Sequence, residues 1–182
     1  MARTAVVAGG SGLVGGLLLA ELLRSPEYSR VTALVRRLLP LEHPKLSQVI
    51  VDFDAVVNFA RHAREAGAKR FLLVSSAGAD ARSRFLYPRV KGEAEEAVAR
   101  LPFNEVHLFR PSFLIGNRAE SRPLERALLA VLSPLRTLFL GPLRRYRPIE
   151  AAEVAAAMVR AALRGGTGVN VFENESIAGA TH

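Results

Sequence analysis

An α/β architecture, one parallel sheet with helices on both faces, is what this sequence predicts, and three observations carry the prediction. First, Thr4-Ala5-Val6-Val7-Ala8 is an apolar run fit for a buried strand, and it enters a turn with glycines at 9, 12 and 15. A leucine-rich helical pattern, Leu17 to Leu23, follows at once. Second, short β-branched or aromatic runs alternate with amphipathic stretches along the rest of the chain, as strands joined by crossover helices do. Third, several runs end in polar groups, Arg36-Arg37, Ser75-Ser76 and Arg110-Pro111-Ser112. Ligands of open α/β sheets bind at that carboxyl rim.

The 182 residues predict a single domain, 1–182, built on a doubly wound sheet, with a small substrate-side segment at about 112–148. With 49% apolar residues the chain can bury a sizeable core, which excludes disorder. There is no cysteine, so disulfides, thiolate nucleophiles and zinc–thiolate sites are excluded, and a reducing cytoplasm fits. The histidines at 43, 62, 107 and 182 lack ligand spacing, and no metal is assigned. Net charge is +8, but the arginines are scattered; the densest cluster, Arg144-Arg145-Tyr146-Arg147, is short, and nucleic acid is not the expected partner. Ala5 to Ala20 is uncharged but too short for a bilayer and too glycine-rich for a signal peptide, so no membrane is expected.

In chain order, Arg30 to Val35 reads as the second strand and Gln48 to Val51 as a short third strand ending at Asp52. Asp54 to Ala66 is a good amphipathic helix stopped by Gly67, and it starts almost directly on that strand. A doubly wound sheet crosses over here to a fourth strand beside the first. No residues are available for that crossover. Lys69 to Val74 is a strong strand, a helix runs from Tyr87 to Arg100 with Pro88 in its first turn, and Glu105 to Phe109 is the next strand. Leu124 to Thr137 predicts a helix broken at Pro134, Ile149 to Leu163 a helix capped near Pro148, and Val169 to Phe172 a marginal last strand.

The chemistry lies at the polar ends. Strand, glycine turn and helix place free N–H groups and the positive end of a helix dipole against a diphosphate. Gly9, Ser11, Gly12, Leu13, Val14 and Gly15 are the candidate cradle, although the G-x-x-G-x-x-G spacing also suits a plain turn between buried elements. Arg36 and Arg37 follow the second strand, where an acidic residue would select a 2′-hydroxyl; guanidinium instead matches a 2′-phosphate, favouring NADP(H), unless the pair is an ordinary exposed turn. Asp52 is a candidate acceptor for the adenine amino group, and equally a helix cap or a solvated acid. Tyr87 and Lys91 are four apart and share one helix face. An ammonium stabilises a phenolate, so such a pair can exchange a proton with a substrate oxygen while a nicotinamide exchanges hydride with its carbon. Ser76, with Ser75 as runner-up, is placed to hydrogen-bond the same oxygen.

These residues resemble the short-chain dehydrogenase/reductase superfamily, in its atypical branch, with the Tat-interacting-protein oxidoreductase group and its bacterial relatives as the nearest likeness. The likeness runs through Gly9-x-x-Gly12-x-x-Gly15, Val31-Thr32 to Arg36-Arg37, Val51-Asp52-Phe53 and Leu72 to Asp80. It continues through Phe85-Leu86-Tyr87-Pro88-Arg89-Val90-Lys91-Gly92-Glu93, Phe109-Arg110-Pro111, Asn117 to Pro123 and Tyr146 to Ile149. The resemblance implies a Rossmann-type domain binding NADP(H). In it Tyr87 is the acid/base and Lys91 holds the nicotinamide ribose; Ser75 and Ser76 lie near the nicotinamide, and Pro111-Ser112 border its carboxamide. It also implies helix pairing into a homodimer. The departure falls near 52–55, where family members carry a further crossover and strand; the sequence is read as lacking that segment.

The expected function is therefore an NADP(H)-dependent oxidoreductase acting on a small carbonyl or alcohol. The alternative is an NADPH-binding regulator or scaffold with little turnover. A basic nucleic-acid binder is the third reading, marked by steep salt dependence.

Overall fold

The computed structural model describes residues 3–50, 56–115 and 147–179. The amino-terminal half is β1 (Arg3–Ala8), α1 (Leu13–Arg24), β2 (Tyr28–Val35) and β3 (Leu46–Ile50). Next come α2 (Val56–Glu65), β4 (Arg70–Val74), α3 (Leu86–Ala99) and β5 (Glu105–Arg110). After β6 (Leu114–Ile115) and β7 (Ile149–Glu150), the chain closes with α4 (Ala151–Arg164), β8 (Gly168–Glu173) and α5 (Asn174–Gly179).

The pairing is parallel throughout, as crossover helices require, but the sheet is in two halves: β1-β2-β3 and β4-β5-β8, with β6-β7 as a short pair. The residue pattern explains the interior strands. Val31, Ala33 and Val35 alternate inward on β2 and are buried with Val7, Leu19, Leu22 and Leu23. No helix covers the β2–β3 connection; instead the Gln48 side chain accepts from the Leu39 amide at 2.8 Å and donates to the Leu39 and Leu41 carbonyls, holding the proline-bounded loop.

Between the halves the sheet is broken. Among the described residues β1 pairs only with β2 and β4 only with β5, where a doubly wound sheet has a further strand between them. Val6 on β1 is 55% exposed, although the strand next to the glycine turn is central in an intact sheet. The fourth strand that the sequence has no residues for is thus absent from its place in the described sheet. Residues 52–55, with Asp52, lie outside the described residues, as does the predicted Leu124–Thr137 helix.

Helix α4 spans the break. Its Val154, Ala155 and Met158 share one core with Val14, Phe109 and Ile149, while Val159 and Leu163 pack on the β1–β2 core. At its carboxyl end Arg3 Nη2 donates to the Leu163 carbonyl at 3.2 Å and Arg70 Nη1 to the Ala162 carbonyl at 2.9 Å. One cation from each half-sheet therefore satisfies the orphan carbonyls and the negative end of the same helix. On the opposite face α2 and α3 cover Phe71, Val106 and Leu108, with Phe71 ringed by Phe59 and Phe103 at 5.7 and 5.2 Å.

Two expectations need correction. The helix predicted from Ile149 starts at Ala151, because Ile149 and Glu150 pair with Leu114 and Ile115 and Ile149 is buried. The last strand is not marginal: β8 matches β5 residue for residue from Gly168 to Glu173, and Phe172 stacks on Phe109 at 4.7 Å. Helix α5 has only six residues, too few for a periodic signal in the sequence.

Arg70 also donates to Glu105 at 2.7 Å, and Glu105 meets His107 Nε2 at 3.2 Å. Burial pushes the Glu105 carboxyl up, but the hydrogen bonds of Arg70, His107 and the Gly166 backbone outweigh it and hold it below its ordinary value. A depressed folded-state value adds stability that is full above the unfolded value and lost as pH falls through the folded one. Glu105→Gln should therefore flatten the acid limb of urea-derived stability below the ordinary carboxylate range. In hydrogen exchange, the β1 and β4 amides that face the break should exchange faster than those of Val31 and Ala33, which lie on a strand paired on both sides.

Candidate functional site

The glycine turn is shaped by two requirements. Gly9 has φ +76°, a conformation side chains other than glycine adopt with strain, and its carbonyl accepts from the Gly12 amide at 2.9 Å. A methyl group at Gly15 would overlap the Gly9 carbonyl, so α1 can lie this close to the turn only with glycine there. Gly12 caps α1 without any side-chain hydrogen bond, which leaves the first-turn N–H groups of Leu13, Val14 and Gly15 without a side-chain partner. Ser11 and Gly12 are exposed at the mouth of the turn. Because Ala8 pairs with Leu34, Arg36 and Arg37 emerge beside this turn; both are exposed and form no ion pair among the described residues.

On the other half-sheet, Ser75 and Ser76 end β4. The Ser75 amide donates to Phe109 O at 2.7 Å and the Ala77 amide to the carbonyl of buried Pro111 at 2.8 Å, so the two strand ends form one rim. The hydroxyl oxygens of both serines are buried and lack a hydrogen-bond partner among the described residues. Such orphaned groups are rare and costly, on the order of 1–3 kcal/mol each. Ser112 is tied down: its amide donates to Asn174 Oδ1 at 2.9 Å and its hydroxyl to the Arg147 carbonyl.

Tyr87 and Lys91 sit on one face of α3, with Lys91 Nζ 5.9 Å from the Tyr87 ring centre. Tyr87 is 63% exposed, open to an incoming ligand. Two residues position this helix, and sequence reasoning assigned neither a role. A methyl group at Gly92 would overlap the backbone of Asp80 and Ala81, so α3 rests directly on the loop that leaves Ser76. The Asp80 amide donates to the Pro88 carbonyl at 3.0 Å, reinforcing that contact. Buried Glu95 takes Arg110 through Nε and Nη2, at 2.6 Å for the shortest bond, while Arg110 Nη1 reaches Glu173 at 3.0 Å. The Glu95 hydrogen bonds raise the Arg110 pKa above its ordinary value. The signal for Glu95 was faint: it is one acid in an acidic helix stretch, and only the fold brings Arg110 opposite it.

Crevice members thus fall into two groups, the glycine turn with Arg36 and Arg37 on one half-sheet, and Ser75, Ser76, Pro111, Tyr87 and Lys91 on the other. Glu95→Ala leaves Arg110 partly buried without its main partner and should lower unfolding free energy by about 3–5 kcal/mol. Gly92→Ala should cost about 1–3 kcal/mol, both read by urea unfolding.

No family model matches the chain. It is 31% identical over 209 positions, covering 91% of this chain and 86% of the relative, to the Aspergillus oryzae protein fmp52-1, mitochondrial. Those 209 positions exceed the 182 residues of this chain, so the relative carries positions with no counterpart here. The rat protein HTATIP2 is 33% identical over 163 positions, covering 68% of this chain and 67% of that protein. Among solved structures, the Bordetella bronchiseptica enzyme WbmH in complex with NAD+ superposes with a TM-score of 0.64 at 14% identity, covering 95% of this chain and 76% of that one. The Lactococcus lactis oxidoreductase ylbE gives 0.63 at 14% identity, covering 97% and 96%. These two establish the Rossmann-type fold. The expected cytoplasmic location is overturned by the curated relatives, whose names place the fmp52 proteins in mitochondria. Among the described residues no helix is long and apolar enough to cross a membrane. By its relatives and its fold, the chain belongs to the atypical short-chain dehydrogenase/reductases, in the group that includes the fmp52 proteins and HTATIP2.

Proposed function

We propose that the chain is an NADP(H)-binding oxidoreductase that moves hydride to or from a small carbonyl or alcohol substrate. The observation that carries this is the pair of buried Ser75 and Ser76 hydroxyls at the carboxyl end of β4, which have no hydrogen-bond partner among the described residues and can donate to a ligand's oxygen atoms. The rest of the crevice fits a dinucleotide: an α1 amino end with no side-chain cap, a glycine at 15 that lets α1 lie against the Gly9 backbone of the turn, and two arginines beside the turn with no ion pair among the described residues. WbmH, which shares the fold, was solved with NAD+, and fold likeness alone does not choose between the two coenzymes. Arg36 and Arg37 argue for the phosphorylated one, since guanidinium pairs with a 2′-phosphate in two-pronged fashion.

In this reading Gly9, Ser11, Gly12, Leu13, Val14 and Gly15 hold the diphosphate and Pro111 borders the carboxamide. Lys91 holds the nicotinamide ribose through its ammonium. Tyr87 gives a proton to the substrate oxygen or takes one from it, and Ser76 orients that oxygen. When bound, NADPH supplies the hydride that turns a carbonyl carbon into an alcohol carbon. Residues 1–182 then act as one coenzyme domain, with 112–148 on the substrate side, and the homodimer common in the superfamily is the assembly proposed. Neither a membrane nor nucleic acid is among the proposed partners.

The break between β1 and β4 favours a second reading, coenzyme binding without turnover, because one wall of the crevice is absent from the described sheet. Titration with NADPH and NADH tests the coenzyme, and turnover on a carbonyl panel separates the two readings. NADPH should bind more tightly, and Arg36→Ala/Arg37→Ala should narrow the gap by about 1–3 kcal/mol. Equal affinities in the wild type would overturn the NADP(H) assignment. Under the oxidoreductase reading Tyr87→Phe lowers kcat on a carbonyl panel by about 10²–10⁴-fold with NADPH affinity unchanged. Tight NADPH binding with no oxidation on any panel member would instead select the regulator.

A further inference from the structure

A second cleft, of about 310 Å³, opens between α4, β5, β8 and α5. It lies away from the glycine turn and the serine rim: its floor includes Gly165 and Gly166, which lead from the carboxyl end of α4 into the start of β8. The rim that holds Ser75 and Pro111 is at the other end of the parallel strands.

Two side chains that line this cleft, Arg160 and His107, keep buried polar atoms with no hydrogen-bond partner among the described residues. Arg160 buries Nε and Nη2 with no hydrogen-bond partner among the described residues. Those two nitrogens form one edge of the guanidinium, spaced to meet two oxygens of a carboxylate or phosphate side by side. Arg160 is partly buried, and a buried guanidinium edge without a counter-charge is costly, so this edge suits an anion. No carboxylate lines the cleft among the described residues, and the nearby acids are engaged elsewhere, Glu105 with Arg70 and Glu173 with Arg110. Arg164 adds a second positive charge to the lining, while Asn170 Nδ2 and Ser176 Oγ donate to main-chain carbonyls of Thr167, Gly168 and Glu173.

His107 supplies an independent sign. It is 4% exposed and lines the cleft; Nε2 is spent on Glu105, and Nδ1 is buried with no hydrogen-bond partner among the described residues. Its ring lies stacked near Phe172 at 5.6 Å, so the same wall offers an aromatic face next to a vacant polar atom. Arg160 on α4 and His107 on β5 thus line one cleft, each with buried nitrogens that have no partner among the described residues.

We infer that this cleft binds a small organic oxyanion, a carboxylate or a phosphate ester, with the charged group on the Arg160 edge and an apolar body against Phe172 and Ala157. The site neither requires nor touches the coenzyme crevice. It gives the protein a second ligand, held against α4, the helix that joins the two half-sheets.

Benzoate and inorganic phosphate serve as probes, each at matched ionic strength against sodium chloride, with thermal unfolding and calorimetry as readouts. At least one probe should raise the unfolding midpoint, because a ligand of the folded state stabilises it by mass action. Binding should persist with NADPH saturating and weaken about tenfold or more in Arg160→Met, with Arg160→Lys in between because it keeps the charge and loses the two-pronged edge. In the wild-type protein the ring nitrogens of His107 should shift in ¹⁵N NMR on adding the probe, a reading that needs no variant to fold. Response to benzoate but not phosphate identifies a carboxylate ligand, and the converse a phosphate. No midpoint rise with either probe, an undiminished response in Arg160→Met, unmoved His107 signals, or displacement by NADPH would each overturn the proposal.

Discussion

The fold depends on α4 holding together two half-sheets that no strand joins among the described residues. Its apolar face enters both cores at once, with Met158 and Val154 on one side and Leu163 and Val159 on the other. Its carboxyl end then takes Arg3 from β1 and Arg70 from β4. Strand pairing is short-ranged and needs neighbours about 5 Å apart, whereas a helix can span a wider gap with its side chains. The relative position of the glycine turn and the serine rim therefore rests on side-chain packing, where an intact sheet would fix it by backbone hydrogen bonds.

Within the carboxyl-terminal half, the tyrosine helix is fixed from three directions. Gly92 sets it against the Asp80–Ala81 backbone, Glu95 grips Arg110 at the end of β5, and Arg110 extends that grip to Glu173 on β8. A side chain pair on a free helix would sample many positions relative to Ser76. A helix locked by backbone contact and a buried ion pair holds Tyr87 and Lys91 on a rigid support, which any proton transfer at a defined oxygen needs. The rigidity is local to this half, and the glycine turn is on the other.

The break has a chemical side as well as a mechanical one. Val6 shows 55% of its surface on a strand that an intact sheet would bury, and its outer backbone groups have no strand partner among the described residues. Exposed strand edges invite pairing with other chains. The Aspergillus oryzae relative carries positions that this chain does not, and in this chain the helix predicted from Asp54 follows directly on the third strand.

By itself the sequence determined the α/β class, most strands and helices, the glycine turn, the Tyr87–Lys91 pair and the oddity near 52–55. These are local signals: apolar runs, residue spacing of three or four, and chain length between elements. The start of α4 at Ala151, the full pairing of β8, the Glu95–Arg110 clamp, the contact beneath Gly92 and the cleft at Arg160 were decided only by tertiary structure. Each joins residues distant in the chain, such as Ile149 with Leu114 or Arg110 with Glu95. A single sequence carries no signal for which distant partner a buried charge or a short strand will meet, because that choice is made by packing.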